Sequence, residues 1–143
     1  MHYFDTSFLA PLILEEATSR RIEAFMAKLP ADALFVSQWT QLEFASLLAR
    51  EVRMGGLNQA DARGAGVQFD RMIEDAHQVL TPTAIDFALA KRYVENFATK
   101  LRAGDALHLA IAKNWGMEAL YTLDENLLKA GKLLKIPVSR GIR

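Results

Sequence analysis

The chain has 143 residues, 51% of them apolar and 24% charged, which excludes a disordered or collagen-like polymer and fits one compact domain over residues 1–143. Its 17 basic and 17 acidic residues cancel, so there is no general electrostatic pull towards nucleic acid, and polyanion binding has to come from a local patch. Cysteine is absent, which excludes a disulfide frame, a thiolate metal site and a cysteine nucleophile.

Ala (22) and Leu (20) far outnumber Val and Ile together (13), a bias towards helix because these side chains lose least on entering one. In chain order, His2–Phe4 is a short apolar strand stopped by Asp5. Residues 7–14 and 18–29 read as helices, and 33–36 as a buried strand ended by Ser37. Residues 39–54 form a strong helix, with Leu42, Ala45, Leu48 and Val52 at helical spacing and Gly55-Gly56 closing it. Asn58 caps a helix to Ala76, a strand follows at Gln78–Leu80, and Thr83 caps a helix over 84–98. A helix over 103–115, a strand over 119–122, a short helix over 125–130 and a strand over 136–138 complete the pass. Short apolar strands alternating with helices predict an α/β fold, a central parallel sheet of four to five short strands flanked by helices. No apolar run reaches about 18 residues, so no membrane-spanning helix is expected, and the lack of cysteine suits the cytoplasm.

Four carboxylates, Asp5, Glu43, Asp105 and Asp124, each lie where a strand gives way to a helix or within a helix's first turns. Parallel sheets collect ligands at the carboxyl ends of their strands, and converging acids there make an all-oxygen cage for Mg²⁺ or Mn²⁺. Acids at helix starts also serve as caps and dipole partners, each worth about 0.3–2 kcal/mol. Thr40-Gln41-Leu42-Glu43 and Thr122-Leu123-Asp124-Glu125 both read as capping boxes. Asp105 resists that reading. The segment 106–112 is apolar almost all round, and Asp105 projects on the side of Leu109 and Ala112. A charge turned inward has to be paired or bound to a metal, and Arg102 is the available partner if no metal is.

Tyr3-Phe4-Asp5-Thr6-Ser7, Glu43, Leu101-Arg102-Ala103-Gly104-Asp105-Ala106-Leu107-His108-Leu109-Ala110 and Tyr121-Thr122-Leu123-Asp124, with Leu127 and Ile136-Pro137-Val138 behind, form a series of blocks. In order and spacing they resemble the signature of PIN-domain ribonucleases, and among those the VapC toxins of prokaryotic toxin–antitoxin modules. The resemblance runs over essentially the whole chain. It implies a PIN domain in which Asp5, Glu43, Asp105 and Asp124 are the catalytic acids and hold one or two Mg²⁺ or Mn²⁺ ions. It places Thr6 as the hydroxyl beside the first acid and Thr122 as the hydroxyl supporting the site from a strand end. The implied reaction is endonucleolytic hydrolysis of RNA. The implied partners are an antitoxin of VapB type, often with an Arg reaching the acids, and a second copy of the chain, without a membrane. Metal-assisted hydrolysis needs no protein nucleophile, which suits a chain without cysteine or a Ser-His-Asp arrangement. RNA as the substrate comes from the resemblance, not from spacing.

Two other classes compete. A catalytically silent PIN-like binding module is disfavoured by the intact quartet. A phospho-acceptor receiver domain needs paired acids on its first strand and a late lysine, but Asp5 has no acidic neighbour and Tyr121-Thr122 supplies no lysine. Lys129, Lys132, Lys135, Arg140 and Arg143 make an acid-free strip that reads either as a phosphate track or as a solvated helix face. His108 reads either as orienting Asp105 or contacting substrate, or as a satisfied, partly buried histidine, and Trp39 and Tyr121 either as base-stacking groups or as core. Glu51, a distant rival about two turns further on the same helix, competes with Glu43, and the adjacent Glu125 shares the role of Asp124 as an alternative. Pro11, Leu12, Ile13, Leu14, Phe25, Leu42 and Phe44 exceed what one small core needs and fit a partner interface.

Overall fold

Tyr3 and Phe4 point to opposite faces of one strand and both are fully buried, so the sheet that holds them has to be covered on both sides. The computed structural model describes residues 1–143. Strands β1 (His2–Phe4), β2 (Leu34–Ser37), β3 (Gln78–Leu80), β4 (Ala119–Tyr121) and β5 (Val138–Ser139) pair entirely in parallel, in the order β3-β2-β1-β4-β5. Around them lie α1 (Thr6–Leu9), α2 (Ser19–Met26), α3 (Gln38–Arg53), α4 (Gln59–Ala76), α5 (Ala84–Glu95), α6 (Ala103–Asn114) and α7 (Glu125–Leu133).

Side-chain alternation along the strands splits the core in two. Tyr3, Phe35 and Leu120 pack with α6, whose residues Ala106 to Ala112 are all buried, and with Leu127 of α7. On the other face Phe4, Leu34 and Val36 pack with Phe8, Phe44, Phe69 and Ile73, the rings of Phe44 and Phe69 stacking 4.0 Å apart. The chain builds β1, β2 and β3 outward in one direction, then returns past the β1 edge to build β4 and β5 in the other. That reversal opens a crevice beyond the carboxyl ends of β1 and β4, where Asp5 and Asp124 stand.

Local differences from the sequence reading have simple causes. The strong central helix starts at Gln38 and not Trp39, because Ser37 caps it in a box with Thr40. Glu43 therefore lies in the second turn of α3, outside any capping box, and Asp124, not Thr122, caps α7 by accepting from Leu127 N at 2.8 Å. The buried face of α3 carries Phe44 and Leu48, whereas Leu42 is 60% exposed. The helix expected to run to residue 98 leaves helical geometry at Asn96, and Thr99 Oγ1 then donates to the carbonyls of Tyr93 and Asn96. The last strand starts at Val138 because Pro137 has no N–H, although its carbonyl still accepts from Leu120 N at 2.9 Å. Phe44 belongs to the core and Pro11 is buried in the turn that follows α1, so neither is surplus.

Gly131 sets how α7 lies on β5. A Cβ at that position would collide with the side chain of Val138. Gly131→Ala is expected to lower stability by about 1–3 kcal/mol, as overpacking does in a filled core, despite the better helix propensity of Ala. Thermal unfolding by circular dichroism measures it, and an unchanged or raised melting temperature would contradict the packing described.

Candidate active site

All four acids face one open cleft of about 850 Å³, together with Thr6, Ser7, Trp39, Arg50 and Glu51. Each arrives by a different route. Asp5 follows β1 directly and caps α1, Oδ1 accepting from Phe8 N at 3.0 Å. Glu43 projects from α3 after β2, Asp105 from the first turn of α6, and Asp124 caps α7 just past β4. The capping role that sequence offered as the bland alternative is real for Asp5 and Asp124, yet each cap uses one carboxylate oxygen and leaves the group facing the cleft.

Two of the acids are locked. Asp5 is 3% exposed, with Ser7 Oγ donating to Oδ1 at 2.8 Å and Thr122 Oγ1 donating to Oδ2 at 2.5 Å. Thr122 Oγ1 also accepts from Asp124 N at 3.0 Å, so one hydroxyl ties the first acid to the last. Ser7 Oγ accepts from Leu123 N at 3.0 Å, a second tie across the same crevice. Glu43 Oε1 accepts from Thr6 Oγ1 at 2.7 Å and is paired with His108 Nε2.

His108 is 1% exposed and sits beneath the acids, its Nδ1 bonded to Tyr3 Oη at 2.8 Å, while Tyr3 Oη also contacts Ser37 Oγ at 2.8 Å. Burial alone would lower the imidazole, but Tyr3, the Glu43 hydrogen bond and the negative charges of Glu43 and Asp5 outweigh it and raise the pKa to about 10. His108 is therefore an imidazolium with both nitrogens donating, the buried cation under the quartet. It orients Glu43 and not Asp105.

The electrostatics divide the acids. Burial raises the Asp5 pKa against the opposing effects of His108 and its hydrogen-bond donors. Burial would also raise Glu43, but His108 and Thr6 overcome it and lower the pKa. Asp105 is raised to about 6, first by burial and then by the charge of Asp124, with Glu43 and Asp5 adding to it and His108 opposing. No protein hydrogen bond offsets the charge on Asp105. Arg102 is exposed and makes no ion pair with it, so the salt-bridge alternative fails. No three His, Asp or Glu side chains converge tightly enough to chelate an ion as they stand. The donor set facing the cleft is nonetheless all hard oxygen, with the free oxygens on Asp105 and Asp124, which fits Mg²⁺ or Mn²⁺ and not a softer ion.

Sequence reasoning missed the weight of Ser7; of its readings of His108 the satisfied buried histidine holds, with Glu43 and Tyr3 as partners that sequence did not name. Adjacency to Asp5 was the available signal for Ser7, whereas the partner of His108 lies 65 residues away and left no local trace. Glu125 is withdrawn from the site by an ion pair with Arg140. None of the basic strip lines the cleft, because α7 carries Lys129 and Lys132 away from Asp124. Tyr121 stacks on Phe4 at 5.3 Å and packs edge-on to Phe25 at 4.9 Å, which makes it a core residue.

A protein-family model described as the PIN domain matches residues 2–133. Among solved structures, Mycobacterium tuberculosis VapC20, described as a sarcin-ricin loop cleaving toxin, is 21% identical with a TM-score of 0.73, covering 92% of this chain and 95% of that one. FitAcB from Neisseria gonorrhoeae is 18% identical with a TM-score of 0.76, covering 99% and 98%. VapBC2 from Rickettsia felis, bound to a DNA fragment from its promoter, is 12% identical with a TM-score of 0.69, covering 97% and 98%. No curated protein matches the chain. At such identities the solved structures speak to the fold alone, and that fold, a parallel sheet with acids at its carboxyl edge, agrees with the family match over nearly the whole length. The chain belongs to the PIN-domain family.

Proposed function

We propose that this PIN domain is a divalent-metal-dependent endoribonuclease and the toxin of a toxin–antitoxin pair. The observation that supports it most is the convergence of Asp5, Glu43, Asp105 and Asp124 on one open cleft, two of them fixed by hydrogen bonds and Asp105 without an ion-pair or hydrogen-bond partner. Mg²⁺ commonly keeps several waters and takes only one or two carboxylates, which suits a cleft whose acids face one space without three of them closing to chelating distance. Bound there, a metal neutralises charge on the phosphate and lowers the pKa of a water. The protein's own part is to hold Asp5 by Ser7, Thr122 and the Phe8 amide, to hold Glu43 by Thr6 and His108, and to present Asp105 and Asp124 with free oxygens.

RNA as substrate rests on the family resemblance and on the solved relative described as cleaving the sarcin-ricin loop. The antitoxin partner is supported by the relatives solved as toxin–antitoxin complexes. It is also supported by an apolar groove of about 640 Å³ that shares Trp39 and Leu42 with the acid cleft and is walled by Phe87, Val94 and Leu107. A peptide lying across both would place apolar anchors in the groove and a cation among the acids. Ile85 and Phe97, 71% and 86% exposed, leave further apolar surface for a second copy of the chain. No helix is long and apolar enough to cross a membrane.

Purified protein is expected to cut RNA with Mg²⁺ or Mn²⁺ and to stop with EDTA; cleavage at full rate in chelator would overturn the metal reading. Asp105→Asn is expected to abolish cleavage.

The same variant tests the electrostatics without activity. Asp105 binds its proton more tightly folded, with a pKa of about 6, than unfolded, at 3.8. Its contribution is therefore fully stabilising only below the unfolded value and is lost as pH rises through the folded one. In EDTA, Asp105→Asn should gain stability relative to wild type as pH rises from about 4 to about 7. With Mg²⁺ at about 100 times its dissociation constant, wild type should gain about 2.7 kcal/mol and the variant much less. Melting curves across pH, with and without metal, check both. A variant that is less stable than wild type at every pH, beside a metal-indifferent wild type, would contradict the account.

A further inference from the structure

The cleft carries five carboxylates, Asp5, Glu43, Glu51, Asp105 and Asp124, and one cation among its lining residues, Arg50. A polyanion entering it meets repulsion on every side but that one. Arg50 has no carboxylate partner. Its one side-chain hydrogen bond runs from Nε to Met54 Sδ at 3.4 Å, a weak acceptor, so both terminal nitrogens are free. The neighbouring acid does not neutralise it, because the Glu51 carboxylate lies over the Gly55-Gly56 turn, where a Cβ on Gly56 would strike it.

Arg50 is also rigidly related to the reaction centre. Glu43 and Arg50 are seven residues apart on α3, a helix of 16 residues fixed at its start by the Ser37–Thr40 box, with the exposed Ser46 between them on the same face. Seven residues put the two side chains on one face, about 10.5 Å apart along the axis. That spacing suits a strand that crosses the acids and continues along α3. A guanidinium with free terminal nitrogens grips a phosphate through two parallel hydrogen bonds.

We propose that Arg50 is a substrate-positioning residue that binds a phosphate flanking the scissile one, so that the RNA strand runs along α3. The cationic track then lies on α3 and not on the strip at Lys129, Lys132 and Lys135. The inference rests on the ribonuclease reading given above.

The test measures steady-state cleavage of a single-stranded RNA across a range of salt concentrations for wild type, Arg50→Ala, Arg50→Lys and Arg53→Ala. Arg53 is the matched control, one turn further on the same helix and outside the cleft. Arg50→Ala should raise KM about tenfold, the loss of one charged contact, with kcat within twofold. It should also flatten the salt dependence of kcat/KM by about 0.7 log units per log unit of salt. Arg50→Lys should recover part of the KM and most of the slope, and Arg53→Ala should match wild type. An unchanged KM and slope in Arg50→Ala, a fall in kcat at constant KM, or an equal effect in Arg53→Ala would each overturn the proposal while leaving the nuclease intact. A wild type that cuts no RNA under any metal would instead overturn the ribonuclease reading and this inference with it. Melting temperatures of the four proteins establish that each is folded.

Discussion

Like charges held together in a half-buried cleft are the constraint around which this molecule is arranged. Two unit charges about 4 Å apart interact by roughly 4 kcal/mol at an effective dielectric of 20, so a carboxylate quartet is costly unless something offsets it. Part of the offset is built in. His108 lies under the quartet as a buried cation, held by Tyr3 below and Glu43 above, and the hydroxyls of Thr6, Ser7 and Thr122 donate to Glu43 and Asp5. The remainder stays on Asp105, whose acidity is weakened by burial and by the charge of Asp124. A site so arranged is half neutralised by its own protein, and the unneutralised half faces open space.

The fold supplies this arrangement economically. Reversal of strand order at β1 opens the crevice, and every acid reaches it from the start of a helix or one turn beyond. The apolar character of α6 follows from the same demand. It runs through the core against Tyr3 and Leu120, so its first turn can only emerge at the carboxyl edge of the sheet. Gly104 completes the approach, since a Cβ there would stand 2.8 Å from the Trp39 ring and 3.2 Å from Glu43 Oε2. Trp39 then forms the wall between the acid cleft and the apolar groove, so occupants of the two would be felt by each other.

Much of this was legible in the sequence because it is local. Asn58 capping α4, the strand Gln78–Leu80 and the apolar run of α6 announce themselves within a few residues. The order of Asp5, Glu43, Asp105 and Asp124 against those elements pointed to one sheet edge but left each open to being only a cap, and it was the resemblance to the PIN family that implied a shared site. What stayed hidden depends on contacts between distant segments. Nothing near residue 108 names Glu43 as its partner, and nothing near Leu42 says that Phe44 takes the core while Leu42 faces the groove. Ser37 and Thr40 are both good caps, and only the end of β2 decides between them. Charge runs mislead for the same reason. The lysines of α7 form the most visible basic strip in sequence, but the helix leads them out of the cleft, whereas Arg50, in a helix that shows no such strip, is the one cation lining it.

The central claim is that the acids form a divalent-metal site from which metal displaces a proton held by Asp105. Isothermal titration of Mn²⁺ into metal-free protein near Asp105's pKa of about 6, repeated in two buffers of different ionisation enthalpy, reads binding and proton release together. The account predicts saturable binding with release of part of a proton, the release lost and the affinity much reduced in Asp105→Asn. Absence of binding, or binding that Asp105→Asn leaves unchanged, would contradict it.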